Sequence, residues 1–412
     1  MRVAIVTHAV RHNDGQGRVN HEIASAALAE GCTVTLVATH VAPALLAHPR
    51  LRWVPIHVGR VWQTNLIRHQ VFAIKSALWL RQHRHEFDVV HVNGFISWVH
   101  ADVNTAHFVH SGWFASPYYP YGLSGGLNAA YQYLYTCLNA RLERWAYRRS
   151  SVVAAVSEKV AAELREAGVP AQRIEVIHNG VDVQTFAGAR GDRRRFGLPD
   201  DAFLLLFAGD LRTPRKNLGT VLSALVHLPE NVHVVVAGRL HGSRYPDVAR
   251  TLRLDHRVHF LDFVEDVPSL MHSVDAYVFP SRYEAMSLSL LEAIAAGLPV
   301  VTARTAGGAE VIGPDCGIVL PDPDDPRELA KAIAALADDE WRCRLMGAQA
   351  SRLARQFEWS RMAARYLDLY RRVARQAAHA ASGTGEGNRA SDTINDRPAG
   401  ARLIPTDGGE PK

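Results

Sequence analysis

Glu284 and Glu292 stand about two helical turns apart in the stretch FPSRYEAMSLSLLEAIAAGLPVVTARTAGG, which runs from Phe279 to Gly308. A carboxylate accepts hydrogen bonds from sugar or ribose hydroxyls and has no use for a phosphate. Arg212, Arg215 and Lys216, in FAGDLRTPRKNL, carry the opposite charge. Cations held there neutralise negative charge growing on a departing phosphate. Together the two groups suit a ligand that bears both hydroxyls and phosphates. Near the N-terminus Gly15 and Gly17 precede a helix-period pattern. Glycine at a helix start lets a phosphate or sugar come close to backbone N–H groups. His107 and His110 follow the strand-like run from Ala101 to Ala106.

The elements around these residues read as strand, turn, helix, stop and strand. Ala276 to Phe279 is apolar, and Leu288, Leu291 and Ala295 then fall on one face of a helix that Gly297 and Pro299 end. Glu284 sits on the turn and Glu292 on the helix. A ligand in such a βαβ unit lies beyond the carboxyl end of the strand, where unpaired N–H groups favour anions. Lys216 occupies the same kind of place, after the strand Phe203 to Ala208 and before the helix Leu218 to Leu228.

The alternation of strand and helix runs twice through the chain. Strands at Arg2 to Thr7, Cys32 to Thr39, Phe87 to Val92, Ala101 to His107, Ser151 to Val156 and Arg173 to His178 alternate with helices at Arg18 to Ala29, Leu66 to Arg84, Asn128 to Arg149 and Glu158 to Ala167. Ile67, Val71, Ile74 and Leu78 recur at helical spacing, and Ser111 to Gly126 reads as a long loop. The arginine-rich stretch from Gly188 to Pro199 is the best linker, and alternation restarts after it. The expected fold is α/β, with two facing Rossmann-like domains, each with a parallel sheet. The expected boundaries are 1–187 for a first domain, 188–199 for a linker and 200–356 for a second domain. A helix is expected over 357–380, with Met362, Tyr366, Leu369 and Val373 in register, and 381–412 as a disordered tail.

Five segments together resemble the retaining glycosyltransferases of family four, the glycosyl transferases group 1. They are Asp14-Gly15-Gln16-Gly17, VIHNGVD from Val176, FAGDLRTPRKNL from Phe207, the run Val258 to Met271, and the pair Glu284 and Glu292 at the family's seven-residue separation. The resemblance implies the GT-B fold of two facing domains, with 1–187 on the acceptor side, 200–356 binding the nucleotide sugar and a C-terminal helix returning to the first domain, and transfer of a sugar from a nucleotide diphosphate sugar. It implies a catalytic set of Glu284, Lys216 and His107. Donor contacts would come from Gly15, Gly17, Arg212, Arg215, Lys216, Val264, Glu284, Ala285, Met286, Ser287, Leu288 and Glu292. Glu284 would touch the donor sugar and Glu292 the ribose. Asp210 stands where the family usually has Arg, so either Arg212 or Arg215 partners Lys216. Ala285 to Leu288 reads AMSL where the family often has a Gly-rich run, so these side chains are expected to narrow the donor's approach.

Other chemistries fit less well. Asn20 replaces the third glycine of a dinucleotide fingerprint, which disfavours NAD. Asp322-Pro-Asp324 lies before a helix, where Asp serves as a cap, so no metal is expected. A glycosidase with paired carboxylates leaves Lys216 and the glycine loop unexplained. No cofactor is expected beyond the nucleotide sugar itself. The alternatives are a catalytically silent sugar-nucleotide binding subunit of the same fold and a nucleotide-sugar epimerase.

The chain has 412 residues, a net charge of +5 and four scattered cysteines, which suits a globular protein of a reducing compartment. No apolar run reaches membrane-spanning length and no signal peptide is visible. The expected location is cytoplasmic, with peripheral contact to the inner face of a membrane. Arg141, Arg144, Arg148 and Arg149 are solvated or face anionic lipid. No nucleic-acid module accompanies the charge. The expected partners are a nucleotide-sugar donor, a glycan or lipid-linked acceptor and an anionic membrane surface.

Overall fold

The computed structural model describes residues 1–12, 15–59 and 64–386, which form two α/β halves, each on a parallel sheet. The first half holds β1 (Arg2–Val6), β2 (Ala9–Val10), β3 (Thr33–Ala38), β4 (His40–Val41), β5 (Leu51–Pro55), β6 (Val89–Asn93), β7 (Ala101–Ala106), β8 (Ser150–Ala155) and β9 (Ile174–Val176). Its helices are α1 (Gly15–Ala29), α2 (Pro43–Leu46), α3 (Asn65–His83), α4 (His110–Ala115), α5 (Leu127–Arg148) and α6 (Glu158–Glu166). The second half has β10 (Phe203–Ala208), β11 (Val232–Ala237), β12 (Val258–Phe260), β13 (Ala276–Phe279), β14 (Val300–Ala303) and β15 (Gly317–Leu320). Around it lie α7 (Val183–Ala187), α8 (Leu218–Leu225), α9 (Tyr245–Thr251), α10 (Val267–Met271), α11 (Leu288–Ala295), α12 (Pro326–Ala337) and α13 (Glu340–Ala354). The chain ends its described part in α14 (Trp359–Glu386).

The large sheets have the orders β5-β3-β1-β6-β7-β8-β9 and β12-β11-β10-β13-β14-β15, and β2 pairs with β4 beside the first. The order of connection reverses between β1 and β6 in one sheet and between β10 and β13 in the other. Crevices at the carboxyl ends of such strands are where doubly wound sheets bind ligands. Those ends carry His8 and Asn93 in the first half, and Lys216 and Glu284 on turns of the second. One apolar core passes from Val153 and Val160 into Leu206 and Val278, so the halves are packed against each other, while Ile23 and Val34 belong to a second cluster with α14.

The chain crosses between the halves earlier than the composition suggests. Val181 pairs with Glu358, and α7 packs on α10 and α11 of the second half, so the crossing lies at Gly180 to Asp182. The expected linker is also anchored. Arg193 donates to the carbonyls of Asp200 and Ala202 and pairs with Asp275 at 2.7 Å, and Arg195 pairs with Asp266. A run of arginines reads as solvated until the carbonyls and carboxylates that meet it are known.

Helix α14 returns to α1, burying Met362, Tyr366, Leu369 and Val373. Tyr370 Oη lies 2.6 Å from His91 Nδ1, and Thr105 Oγ1 meets both His91 and Tyr366. The helix continues to Glu386, past the expected start of the tail at 381, and the rest of that tail, 387–412, lies outside the described residues. Two further differences concern the first half. The loop expected at Ser111 begins as α4, because Glu143 caps it. The stripe Ile67, Ile74, Leu78 on α3 faces outward, while Phe72, Ala73, Ala77 and Leu80 form the buried face. Helical spacing identifies an apolar stripe but not the side on which a sheet lies.

Candidate active site

Lys216 lies in a turn that Asn217 fixes. Asn217 adopts φ 66° and donates from Nδ2 to the carbonyls of Pro280 and Pro323 and to Asp324, which ties the turn after β10 to the end of β13. The Lys216 ammonium is bonded to Glu284 and lies 5.0 Å from the centroid of the Phe279 ring. Arg215 Nη1 is 3.6 Å from the other Glu284 oxygen. Burial opposes the charged form of Glu284, but Lys216, Arg215 and then Lys159 outweigh it and hold the carboxyl below its ordinary range. Arg212 is not part of this cluster. Its guanidinium forms a two-pronged bond with Asp210 at 2.9 and 3.0 Å on the surface, so Asp210 holds the arginine away from the site.

The turn that carries Glu284 is clamped by the segment after β14. Gly307 N donates to the Glu284 carbonyl and Ser287 N to the Gly307 carbonyl. A Cβ at Gly307 would stand 1.8 Å from the Ala285 oxygen, so this approach requires glycine. Ser287 caps α11 by accepting from Leu290 N. Ala285 and Met286 are buried in the core, so their side chains do not narrow the donor's approach as expected. Leu288 does face outward, toward Gly15, whose added Cβ would lie 3.7 Å from it.

Gly15, Arg18, Val264, Leu288 and Glu292 line one cleft of about 720 Å³ between the halves. Burial pushes the Glu292 carboxyl up to about 7, with Arg18 pulling the other way, and its side chain has no hydrogen-bond partner among the described residues. Gly17 is buried in α1, and its carbonyl accepts from Arg11 N, so it shapes the loop rather than lining the cleft. Asp14 of the glycine loop and residues 60–63 lie outside the described residues.

His107 approaches from the first half. Asn93 Nδ2 donates to Val6 O and to Asn20, so Asn93 Oδ1 is left to accept, and it lies 2.9 Å from His107 Nε2. The proton of a neutral His107 therefore sits on Nε2. Burial pushes the His107 pKa down to about 4, which keeps the ring neutral. His110, in contrast, is bonded to Glu143 of α5.

Contacts across the cleft involve residues that the motifs do not show. Ser157 Oγ donates to Ala285 O at 2.6 Å, and the single Tyr283 O–H lies within 2.8 Å of both Val109 O and a Glu163 carboxyl oxygen. The Lys159 ammonium lies 3.6 Å from the centroid of the Tyr283 ring and pairs with Glu163. Glu310 accepts from the N–H groups of Glu158 and Gly308. Ser157, at the start of a helix, and Asn217, directly before an apolar helical run, had a sequence signal. Lys159, Glu163 and Tyr283 become legible only when the halves meet. Asp322 and Asp324 bond Tyr118 Oη and the Arg282 guanidinium.

Family models match both halves: one described as Glycosyltransferase Family 4 covers residues 13–185, and one described as Glycosyl transferases group 1 covers 202–339. The chain belongs to glycosyltransferase family 4. Within the family it is 35% identical over 237 residues to a D-inositol 3-phosphate glycosyltransferase of Xylanimonas cellulosilytica, covering 53% of this chain and 56% of that protein. It is 32% identical over 221 residues to the enzyme of that name from Salinispora tropica, covering 48% of this chain and 46% of that protein. The chain spans about half the length of the curated relatives it matches. WaaG, a glycosyltransferase involved in lipopolysaccharide biosynthesis, superposes with a TM-score of 0.73 at 21% identity over 89% of this chain and 99% of that one. HepE from Anabaena, solved in complex with UDP-glucose, gives 0.67 at 19% identity over 92% of this chain and 100% of its own. These structures share the GT-B fold of the family.

Proposed function

We propose that the chain transfers a sugar from a UDP- or GDP-sugar to a glycan or lipid-linked acceptor, with retention of configuration and without a metal ion, in polysaccharide or glycolipid biosynthesis. The observation that carries this reading is the convergence of Lys216 and Arg215 on Glu284 at the carboxyl ends of β10 and β13. The nearby cleft adds an unpartnered Glu292 facing Gly15 and Leu288. Family membership and the UDP-glucose held by HepE favour a UDP-sugar among the donors.

In this reading the ribose hydroxyls donate to Glu292, the sugar hydroxyls to Glu284, and the diphosphate accepts from Lys216 and Arg215. The bond between the anomeric carbon and the phosphate oxygen breaks as an acceptor hydroxyl attacks from the same face. The acceptor's proton passes to the departing phosphate oxygen. The two cations stabilise the charge that accumulates there, which lowers the barrier. His107, neutral and fixed by Asn93, orients the sugar by hydrogen bonding and is not charged in the process.

The same reading includes a cytoplasmic place against an anionic membrane. Leu127, Leu134, Leu138 and Trp145 of α5 are exposed beside Arg141, Arg144 and Arg148, and Ile67, Ile74 and Leu78 of α3 are exposed as well. Among the described residues no helix is long and apolar enough to cross a membrane. An amphipathic face rich in arginine and aromatic or aliphatic side chains suits an interfacial position.

A donor screen tests the function. The purified chain is incubated with UDP- and GDP-sugars, with and without crude lipid-linked and glycan acceptors, and released nucleotide is measured by mass spectrometry. UDP or GDP release that an acceptor accelerates is the expected result; no release from any donor would overturn the reading.

A further inference from the structure

At the carboxyl ends of β1 and β6, away from the cleft that holds Glu292, lies a second chamber of about 200 Å³. His8, His69, Asn93, His107, His110 and Tyr135 supply much of its polar wall. No Lys, Arg, Asp or Glu side chain lines it. Burial, with smaller contributions from His69 and Arg68, pushes the His8 pKa down to about 3, and burial keeps His107 neutral too. Among the described residues the buried His8 Nε2 has no hydrogen-bond partner. A buried polar atom left unpaired is costly, so a site that holds one is made for a ligand that pairs it. The volume is several times the share of a water molecule, about 30 Å³, and below the range of about 300–1,000 Å³ for drug-sized ligands. It fits one six-membered ring.

One wall of this chamber is built with unusual care. The fully buried Glu143 carboxylate accepts from the N–H groups of His110 and Ser111, both at 2.7 Å, from Ser111 Oγ at 2.8 Å, and from His110 Nδ1 at 3.1 Å. All four donors belong to the first turn of α4. The carboxylate can only accept, so Nδ1 carries a proton, and Nε2 is the ring nitrogen left for a ligand. Edge-on contacts with Phe95, Phe108 and Tyr135 fix the ring plane. His110, Phe108 and Tyr135 also line a neighbouring cavity of about 200 Å³ that reaches Arg215. His110 therefore stands between the first-half chamber and a cation beside Glu284.

We propose that this chamber holds a single uncharged sugar or cyclitol ring of the acceptor, that His110 Nε2 hydrogen-bonds its hydroxyls, and that Glu143 is the positioning residue that aims His110. The inference rests on the glycosyltransfer reading above and names the part of the acceptor read by this half of the chain. With His110 Nδ1–H committed to Glu143 and His107 Nε2–H to Asn93, the ring nitrogens left open accept from hydroxyls, which suits a polyol rather than a phosphate.

The test uses the full chain with UDP present and three probes: methyl α-D-glucopyranoside, methyl α-D-mannopyranoside and myo-inositol. Saturation-transfer NMR reads probe binding, and donor hydrolysis to water is measured in parallel. His110→Asn places an amide nitrogen near the position of Nδ1, keeping the Glu143 bond while removing Nε2. His110→Gln restores a polar group near Nε2. At least one probe is expected to bind the wild type, to bind H110N about tenfold more weakly, and to recover in part with H110Q. Glu143→Gln should weaken the same probe to a similar extent, yet cost nothing further in the H110N background, because it acts through His110. A merely structural role for Glu143 would cost the same in both backgrounds. No probe binding to the wild type, equal binding to H110N, or additive losses would overturn the proposal. Failure of the wild type to hydrolyse any donor would instead overturn the glycosyltransfer reading, and the probes would still judge the chamber.

Discussion

Lys216 and Glu284 are bonded to each other from two different βα turns, one after β10 and one after β13, at the point where the second sheet reverses its order of connection. Neither turn alone makes the pair. Asn217 joins the two by donating to Pro280 O, so the cation and the carboxylate are held in place before any ligand arrives. Such preorganisation is worth more than the charges themselves, because no rearrangement is required as charge develops. Lys216→Ala is expected to lower donor turnover by about 10²–10³, as loss of one donor to a developing oxyanion does. The measurement is kcat for nucleotide release at saturating donor. Rates near the wild type would remove Lys216 from the phosphate site.

The two candidate arginines separate cleanly. Arg215 faces Glu284, whereas Arg212 is engaged by Asp210 at the surface. Arg215→Ala should therefore reduce kcat/KM for the donor by at least about tenfold, while Arg212→Ala leaves it within about twofold. A steady-state comparison of both variants decides it, and the reverse ranking would assign the phosphate contact to Arg212.

Much of this was legible in the residues themselves, and for a physical reason. Turns between strand and helix sit where a 2-residue period changes to a 3.6-residue period, so the turn positions of Lys216 and Glu284 and the helical position of Glu292 could be read. The apolar register of α14 was equally plain, since Met362, Tyr366, Leu369 and Val373 can be buried only on one face. What the chain conceals is the partner of each polar group. Asp210 neighbours Arg212 in sequence, yet only the backbone path shows that it holds the guanidinium away from Glu284. Glu143 reads as an ordinary helix glutamate among arginines, and its role appears only when α4 docks on α5. Buried polar networks such as Asn20, Asn93 and His107 join residues more than 70 positions apart in the case of Asn20 and Asn93, beyond the reach of any local pattern.

If Glu292 receives the ribose hydroxyls, as proposed, nucleotide binding should depend on pH. Burial raises its carboxyl to about 7 from 4.5, so between those values the folded chain holds a proton that the unfolded chain has released. More protons bound in the folded state mean that stability falls as pH rises through this window, and the burden is complete above about 7. Hydroxyl donors pair with the charged form, so a nucleotide should bind more tightly as pH rises from about 6 to 8. Glu292→Gln is expected to raise the melting temperature of the ligand-free chain at pH 8 and to change it little at pH 5. It should also flatten the pH dependence of UDP affinity. Calorimetry on both proteins checks this; a variant with the wild-type pH slope would place the titrating group elsewhere.

The outward stripe on α3 and the arginine-edged face of α5 bear on where the acceptor is met. His69 of α3 contacts Tyr135 of α5, so the two helices meet at that point. Their exposed Leu134, Leu138, Trp145, Ile74 and Leu78 present apolar surface next to Arg141 and Arg148. Arginine near an anionic surface contributes about 1 kcal/mol each, and this part fades within a Debye length, about 10 Å at 0.1 M salt and 3 Å at 1 M. The chain should sediment with vesicles containing phosphatidylglycerol at 0.1 M salt, less at 1 M, and little with purely zwitterionic vesicles. Leu134→Glu with Leu138→Glu should weaken sedimentation at both salt concentrations while leaving donor hydrolysis unchanged, because neither residue lines the donor cleft. Binding that ignores both salt and the two substitutions would show that these helices do not face the membrane.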